Sequence, residues 1–172
     1  MYVYVVLITG PSPESLGAAI AKSLCTNCTP ALLLLLGRSE PAALVKSLMD
    51  LNPAVKAIFI PCDLASLSSV RAAADRVIAV TSKIHVIINS AGIMAPPIFT
   101  KSADGIEMQF ATNHVGPFLL TELLVGRLIA AGEEEGARVV NLTSTGHLTS
   151  DIRYEDLNFE VSKRQGWGYT VC

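Results

Sequence analysis

Small, hydroxylic and turn-forming residues crowd one stretch near the start of the chain. It reads Thr9-Gly10-Pro11-Ser12-Pro13-Glu14-Ser15-Leu16-Gly17, between an apolar run and a helical pattern. A loop of this kind can hold an anion. Gly10 lets the backbone turn where a side chain would clash. The following helix points free N–H groups and its positive dipole end at the loop, and a pyrophosphate fits there. Gly17 would let helix and phosphate approach closely, with Ser12, Ser15 and Leu16 lining the same turn. Further on stands Arg38, where an arginine offers a bidentate charge to a 2′-phosphate and no acid is present to bond ribose hydroxyls. The alternative for Arg38 is a solvated loop charge. Asp63-Leu64 can hold an adenine by its exocyclic amine and ring face; the alternative for Asp63 is the start of a turn. The small residues of Asn89-Ser90-Ala91-Gly92 would let a flat ring or ribose lie against the backbone.

Each of these places closes a strand-like run, and the runs alternate with helical patterns. The sequence predicts strands over Tyr2–Ile8, Ala31–Leu36, Val55–Ile60, Ile84–Asn89 and Ala137–Leu142. It predicts helices over Ser15–Cys25, Pro41–Leu51, Ser66–Val80 and Asp104–Ile129, the last bent near Gly116-Pro117. Leu16, Ile20 and Leu24 mark one face of the first helix, and Leu67, Val70, Ala74 and Val77 one face of the third. Glu133-Glu134-Glu135 reads as a solvated turn. Such alternation implies an α/β fold, a doubly wound parallel sheet with right-handed crossovers. The 172 residues read as a single domain. Hydrophobic residues make up 51% and charged residues 16%, which suits strands buried on both sides.

Charge and cysteine usage exclude other classes. A net charge of −2 leaves no footprint for nucleic acid. No run approaches the ~20 apolar residues that span a bilayer. The first residues carry no basic region before the apolar run, so a cytoplasmic location is expected. Cys25 and Cys28 have redox or half-zinc-site spacing, yet no second pair or histidine cluster completes a metal site; buried thiols are the alternative.

At Asn89-Ser90-Ala91-Gly92 the whole becomes recognisable: the chain resembles the short-chain dehydrogenase/reductase family. Four further segments carry the likeness. They are the Thr9–Gly17 loop, one residue longer than the family's pattern with Ser15 in place of its middle glycine, Asn113-His114-Val115-Gly116-Pro117-Phe118, Arg138–His147, and Gly166-Trp167-Gly168-Tyr169. The Asn-His segment and the Tyr154-Glu155-Asp156-Leu157-Asn158-Phe159 insertion are similar to the retinol-dehydrogenase-like branch.

The resemblance implies a Rossmann-like fold and reversible hydride transfer between NADP and a small carbonyl or alcohol substrate. It implies Asn113, Ser144 and Tyr169 as the catalytic set. Gly10, Ser12, Ser15, Leu16, Gly17, Arg38, Asp63, Leu64, Asn89, Ala91, Gly92 and Tyr169 would meet the cofactor. Tyr154 does not fit the tyrosine position, and His114 and His147 read as structural. The family's lysine, four positions beyond the tyrosine, has no counterpart before Cys172. The expectation is therefore a domain incomplete at its C-terminus, with a sheet stopping after the fifth strand and little activity from these residues alone. An open fifth strand and the long Asp104–Ile129 helix also make a homo-oligomer an expected partner. The alternatives are a non-catalytic nucleotide-binding remnant and another dinucleotide-fold enzyme, such as an epimerase or methyltransferase.

Overall fold

The computed structural model describes residues 4–148 and 151–161. Runs of branched aliphatic residues form β1 (Val5–Thr9), β2 (Leu32–Gly37), β3 (Lys56–Pro61), β4 (Val86–Asn89) and β5 (Arg138–Asn141). They pair in parallel throughout, in the order β3-β2-β1-β4-β5. The order reverses beside β1, between β2 and β4. In open α/β sheets ligands bind at the carboxyl ends of the strands at such a switch point.

Helices cover both faces: α1 (Leu16–Asn27), α2 (Ala42–Leu51), α3 (Leu67–Val80), the short α4 (Met108–Phe110) and α5 (Gly116–Glu135). The pleat sends alternate β1 residues to opposite sides. Val5 and Leu7 pack in one core with α3 and α5, through Val70, Val77, Leu120 and Leu124. Val6 and Ile8 pack in the other with α1 and α2, through Ala18, Ala21, Leu44 and Leu48. Both β1 faces are thereby buried, which is why that strand is a continuous apolar run.

Several expectations are corrected. The first helix buries Gly17, Ala18, Ala21 and Cys25, and Leu16 is 68% exposed. Small residues face the sheet because the helix start lies close against the β1 turn. The fourth helical region begins at Met108 rather than Asp104. Before it, the carboxylate of Asp104 accepts from the Leu67 N–H at 2.9 Å, and that of Glu107 caps the new helix by accepting from the Gln109 and Phe110 N–H groups at 2.8 and 2.7 Å. The irregularity lies ahead of the Gly-Pro pair, as a π-helical turn over Ala111–Val115. Such single-turn bulges concentrate at functional sites. Glu133–Glu135 continue α5 instead of forming a turn. The helical stretch Met108–Gly132, at 25 residues, is long and apolar enough to cross a membrane by length and composition. Its π turn and polar residues hid that length in the sequence. One such helix is weak evidence for a span, and Leu120, Leu124 and Leu128 bury its inner side in the core. Past β5 the chain carries two 3-10 turns, Thr145–Leu148 and Tyr154–Asp156.

Candidate active site

The Thr9–Gly17 loop is built from contacts between distant segments. Thr9 is buried, and its Oγ1 accepts from the Ser90 and Ala91 N–H groups at 3.1 and 3.0 Å. This ties the end of β4 to the end of β1. Gly10 has a φ of +72°, and a Cβ there would sit 2.7 Å from the Ala91 Cα. A Cβ on Gly17 would lie 2.6 Å from the Gly10 carbonyl oxygen. Gly10, Gly17 and Ala91 therefore pack backbone to backbone, with no room for a side chain between them.

The extra loop residue is absorbed in a turn. The Ser15 N–H donates to the Ser12 carbonyl at 3.1 Å, and Glu14 takes a φ of +60°. With Pro13 at the second position, this has the pattern of a type II turn. Ser15 then caps α1: its Oγ accepts from the Ala18 N–H at 3.2 Å and donates to the Gly10 carbonyl at 2.9 Å. In the sequence Ser15 reads as a loop residue that stands where a glycine belongs and opens the first helix; its capping bond is not part of that reading. The overlooked signal was a serine directly before a helical apolar pattern. Ser15→Ala is expected to cost about 1 kcal/mol, read as a lowered midpoint in urea denaturation. Ser12 and Leu16 are exposed at the mouth of the same loop.

On the other side of β1, Gly37 packs against Pro11, and its carbonyl accepts from the Cys62 N–H at 2.8 Å. Arg38 follows immediately and is exposed. Asp63 Oδ1 accepts from the Ala65 N–H at 3.0 Å, which is a turn-forming contact; its other carboxylate oxygen is not used in that bond. Leu64 is buried beneath it.

Burial, and secondarily the charge of Asp63, pushes the neighbouring Cys62 thiol up to about 11 from its usual 9.0. The folded form thus resists thiolate formation. Its contribution to stability is full below the unfolded value and is lost as pH rises through about 9 to 11. Cys62→Ala is expected to flatten the stability loss over that range, measured by urea denaturation at stepped pH. Cys25 is likewise buried, with its thiol donating to the Leu48 carbonyl at 3.2 Å. Among the described residues no three His, Cys, Asp or Glu side chains converge to hold a metal.

Beyond β4, Asn113 sits in the π turn and clamps the loop that follows the strand. Its Oδ1 accepts from the Ile93 N–H and its Nδ2 donates to the Ile93 carbonyl, both at 2.8 Å. A Cβ on neighbouring Gly92 would come within 3.3 Å of that Oδ1. His114 stacks between Phe110 and Phe118, with ring centroids 5.2 and 6.3 Å away. Ser144 lies three residues past the end of β5, and its Oγ accepts from the Gly146 N–H at 3.2 Å. A hydroxyl that accepts there keeps its proton to donate elsewhere. The His147 Nδ1 lies 2.6 Å from the Ser144 carbonyl oxygen. Tyr154 is exposed on its 3-10 turn, and the insertion docks through Asn158, whose Oδ1 accepts from the Glu107 N–H at 2.9 Å. Tyr169 lies outside the described residues.

The asparagine at the end of β4 faces inward. Asn89 is 6% exposed. Its Nδ2 donates to Asn141 Oδ1 at 2.8 Å and, at 3.5 Å, to Thr121 Oγ1. The fold thus brings Gly10, Gly17 and Ala91 together, and Asn113 to Gly92, all at the carboxyl edge of the sheet. Arg38 and Asp63 lie across β1 from Asn113 and Ser144.

A five-stranded parallel sheet with closely packed glycines at its switch point defines a Rossmann-type α/β domain. Residues 4–153 match the family described as short chain dehydrogenase, and the chain belongs to that family of oxidoreductases. It is 36% identical to the oxidoreductase fscI of Fusarium equiseti over 89% of this chain and 60% of the relative. It is 44% identical to retinol dehydrogenase 12 of Bos taurus over 62% of this chain and 33% of the relative. The chain therefore spans between a third and three-fifths of the length of these two relatives. Among solved structures, a metagenomic short-chain oxidoreductase in complex with NADP aligns with a TM-score of 0.67 at 25% identity, over 82% of this chain and 62% of that one. An NADPH-bound carbonyl reductase from chicken fatty liver aligns at 0.65 and 23%, over 96% and 69%. An NADH-dependent reductase complexed with NAD aligns at 0.69 and 21%, over 84% and 61%. These last two likenesses bear on the fold alone.

Proposed function

We propose that this protein is an NADP-dependent reductase or dehydrogenase that acts on a small carbonyl or alcohol. The observation that carries the cofactor choice is Arg38, exposed one residue beyond the Gly37–Pro11 contact with no acid at the strand end. A guanidinium there favours a 2′-phosphate, whereas an acid would favour free ribose hydroxyls. The close packing of Gly10, Gly17 and Ala91 brings the turn against the start of α1, where free N–H groups would receive a pyrophosphate. Ser12, Ser15 and Leu16 would border it, and Asp63, Leu64, Asn89 and Gly92 would border the rest of the cofactor.

When bound, NADP supplies the hydride chemistry. The residues of the chain supply position and protons. The Ser144 hydroxyl donates a hydrogen bond to the substrate oxygen. Tyr169 gives or takes the proton at that oxygen. A tyrosine ionises near 10 and needs a nearby positive charge to act at neutral pH. Asn113 holds the loop after β4, and with it the floor of the site. A homo-oligomer and a cytoplasmic location belong to the same reading; sedimentation and cell fractionation test them.

Arg38→Asp is expected to weaken NADPH binding selectively, leaving NADH binding unchanged or improved. Fluorescence titration of both cofactors, before and after the substitution, measures this. Equal affinity for the two cofactors in the parent chain would remove the NADP assignment. Turnover is tested with NADPH and a panel of aldehydes and ketones, on these 172 residues and on the longest natural reading frame. Cofactor binding without reduction in either would favour the second reading, a nucleotide-binding protein without catalysis.

A further inference from the structure

We infer that Asn141 is a positioning residue, which sets the place of Ser144 by clamping β5 to β4 through Asn89; its catalytic meaning rests on the reductase reading above. Asn89 and Asn141 are register partners at the ends of adjacent parallel strands, so their side chains leave the same face of the sheet. The two are joined at 2.8 Å, Asn89 Nδ2 to Asn141 Oδ1. The Leu142 N–H donates to the Asn89 carbonyl at 3.1 Å, one step further on. Ser144 follows two residues later.

Three observations make this bond more than decoration. First, all four residues of β5 are exposed. Among the described residues no side-chain packing covers this strand, and its register rests on its pairing with β4. A slip of one residue would move Ser144 by about 3.3 Å along the strand and turn it to the other side. Second, the same amide group of Asn89 reaches α5. The Thr121 hydroxyl donates to the Pro117 carbonyl at 2.8 Å and so meets Asn89 as an acceptor. Asn141 also presents an oxygen, and both therefore face the Asn89 Nδ2 group. The amide thus links β5 to α5, which begins directly after the π turn of Asn113. Third, Asn89 Oδ1 is buried with no hydrogen-bond partner among the described residues. A buried unsatisfied acceptor costs stability, and an apolar pair would avoid that cost. An arrangement that stability alone does not favour fits a positioning role.

The test is residue-resolved amide hydrogen exchange on the 172-residue chain. Asn141→Ala is expected to speed exchange at Leu142 by about tenfold, the equivalent of one lost hydrogen bond, while the buried Leu35 amide in β2 keeps its rate. Asn141→Asp, which keeps the acceptor, should exchange like the parent chain. No change at Leu142, equal acceleration at Leu35, or an Asp variant as fast as the Ala variant would each overturn the clamp. A second arm uses the longest natural reading frame. There Asn141→Ala should lower kcat while the KM for NADPH stays the same, with Asp restoring kcat. A shift in KM alone would overturn the link to Ser144. Absence of turnover in the parent protein would defeat the reductase reading, and the exchange arm would still decide the clamp.

Discussion

Gly116→Ala is expected to destabilise the fold by about 3 kcal/mol, at the upper end of the usual cost of overfilling a packed site. A Cβ at this position would lie 2.2 Å from the Leu64 carbonyl oxygen and 3.0 Å from its carbonyl carbon. Those are backbone atoms three residues past β3, held by the turn at Asp63, so no flexible side chain can swing aside. The first turn of α5 would have to move off the sheet, carrying the π turn and Asn113 with it. For a domain of this size the loss corresponds to a melting temperature lower by roughly 6–12 °C. Gly126→Ala is the control. It lies in the same helix with nothing within 4 Å of its added Cβ, and it should gain up to about 1 kcal/mol from helix propensity. Calorimetry of the two variants separates close approach from the general effect of removing a helical glycine. A Gly116→Ala variant as stable as the parent would show that α5 does not rest on the Leu64 backbone. Because Leu64 borders the adenine position in the proposed site, the same variant should also bind NADPH more weakly.

Ser144→Ala is expected to lower kcat/KM for NADPH-dependent carbonyl reduction by about 10²–10⁴-fold, the range for losing a positioned donor or proton-transfer group. NADPH affinity should be unchanged, because the phosphate loop, Arg38 and Asp63 lie across β1 from it. Ser144 Oγ accepts from the Gly146 N–H, which leaves its own proton available to donate. Tyr169→Phe should cost a similar factor, and the double variant little more, since groups that act on one oxygen are not additive. The assay is steady-state reduction by the longest natural reading frame. A loss below tenfold for Ser144→Ala, with Tyr169→Phe inactive, would leave the tyrosine working without the serine.

Much of this architecture was legible in the residues. Val5–Thr9, the leucine run of β2 and Val86–Asn89 are apolar because parallel strands are buried on both faces, and burial writes itself into composition. The turn residues after β1 and the alternation of strand and helix then fixed a doubly wound sheet. Ordered motifs pointed to the family, since Gly10, Asn89, Asn113 and Ser144 each follow a strand or begin a helix at an expected interval. What the sequence could not reveal was contact between segments far apart in it. Of Leu16, Ile20 and Leu24, the latter two pack against the core while Leu16 is exposed, and the closest contacts fall to Gly17, Ala18 and Ala21, because the distance between helix and sheet decides which residues fit. Gly116 looked like a bend beside proline; its role is to let α5 touch the Leu64 backbone. The motif at Asn89 gave no sign that its amide meets Asn141 and Thr121, 52 and 32 residues away. Local periodicity records which side of an element is apolar, because each residue is chosen against water. It does not record how near two backbones come or which polar groups meet, because those depend on atoms supplied by other elements once the sheet has closed around them.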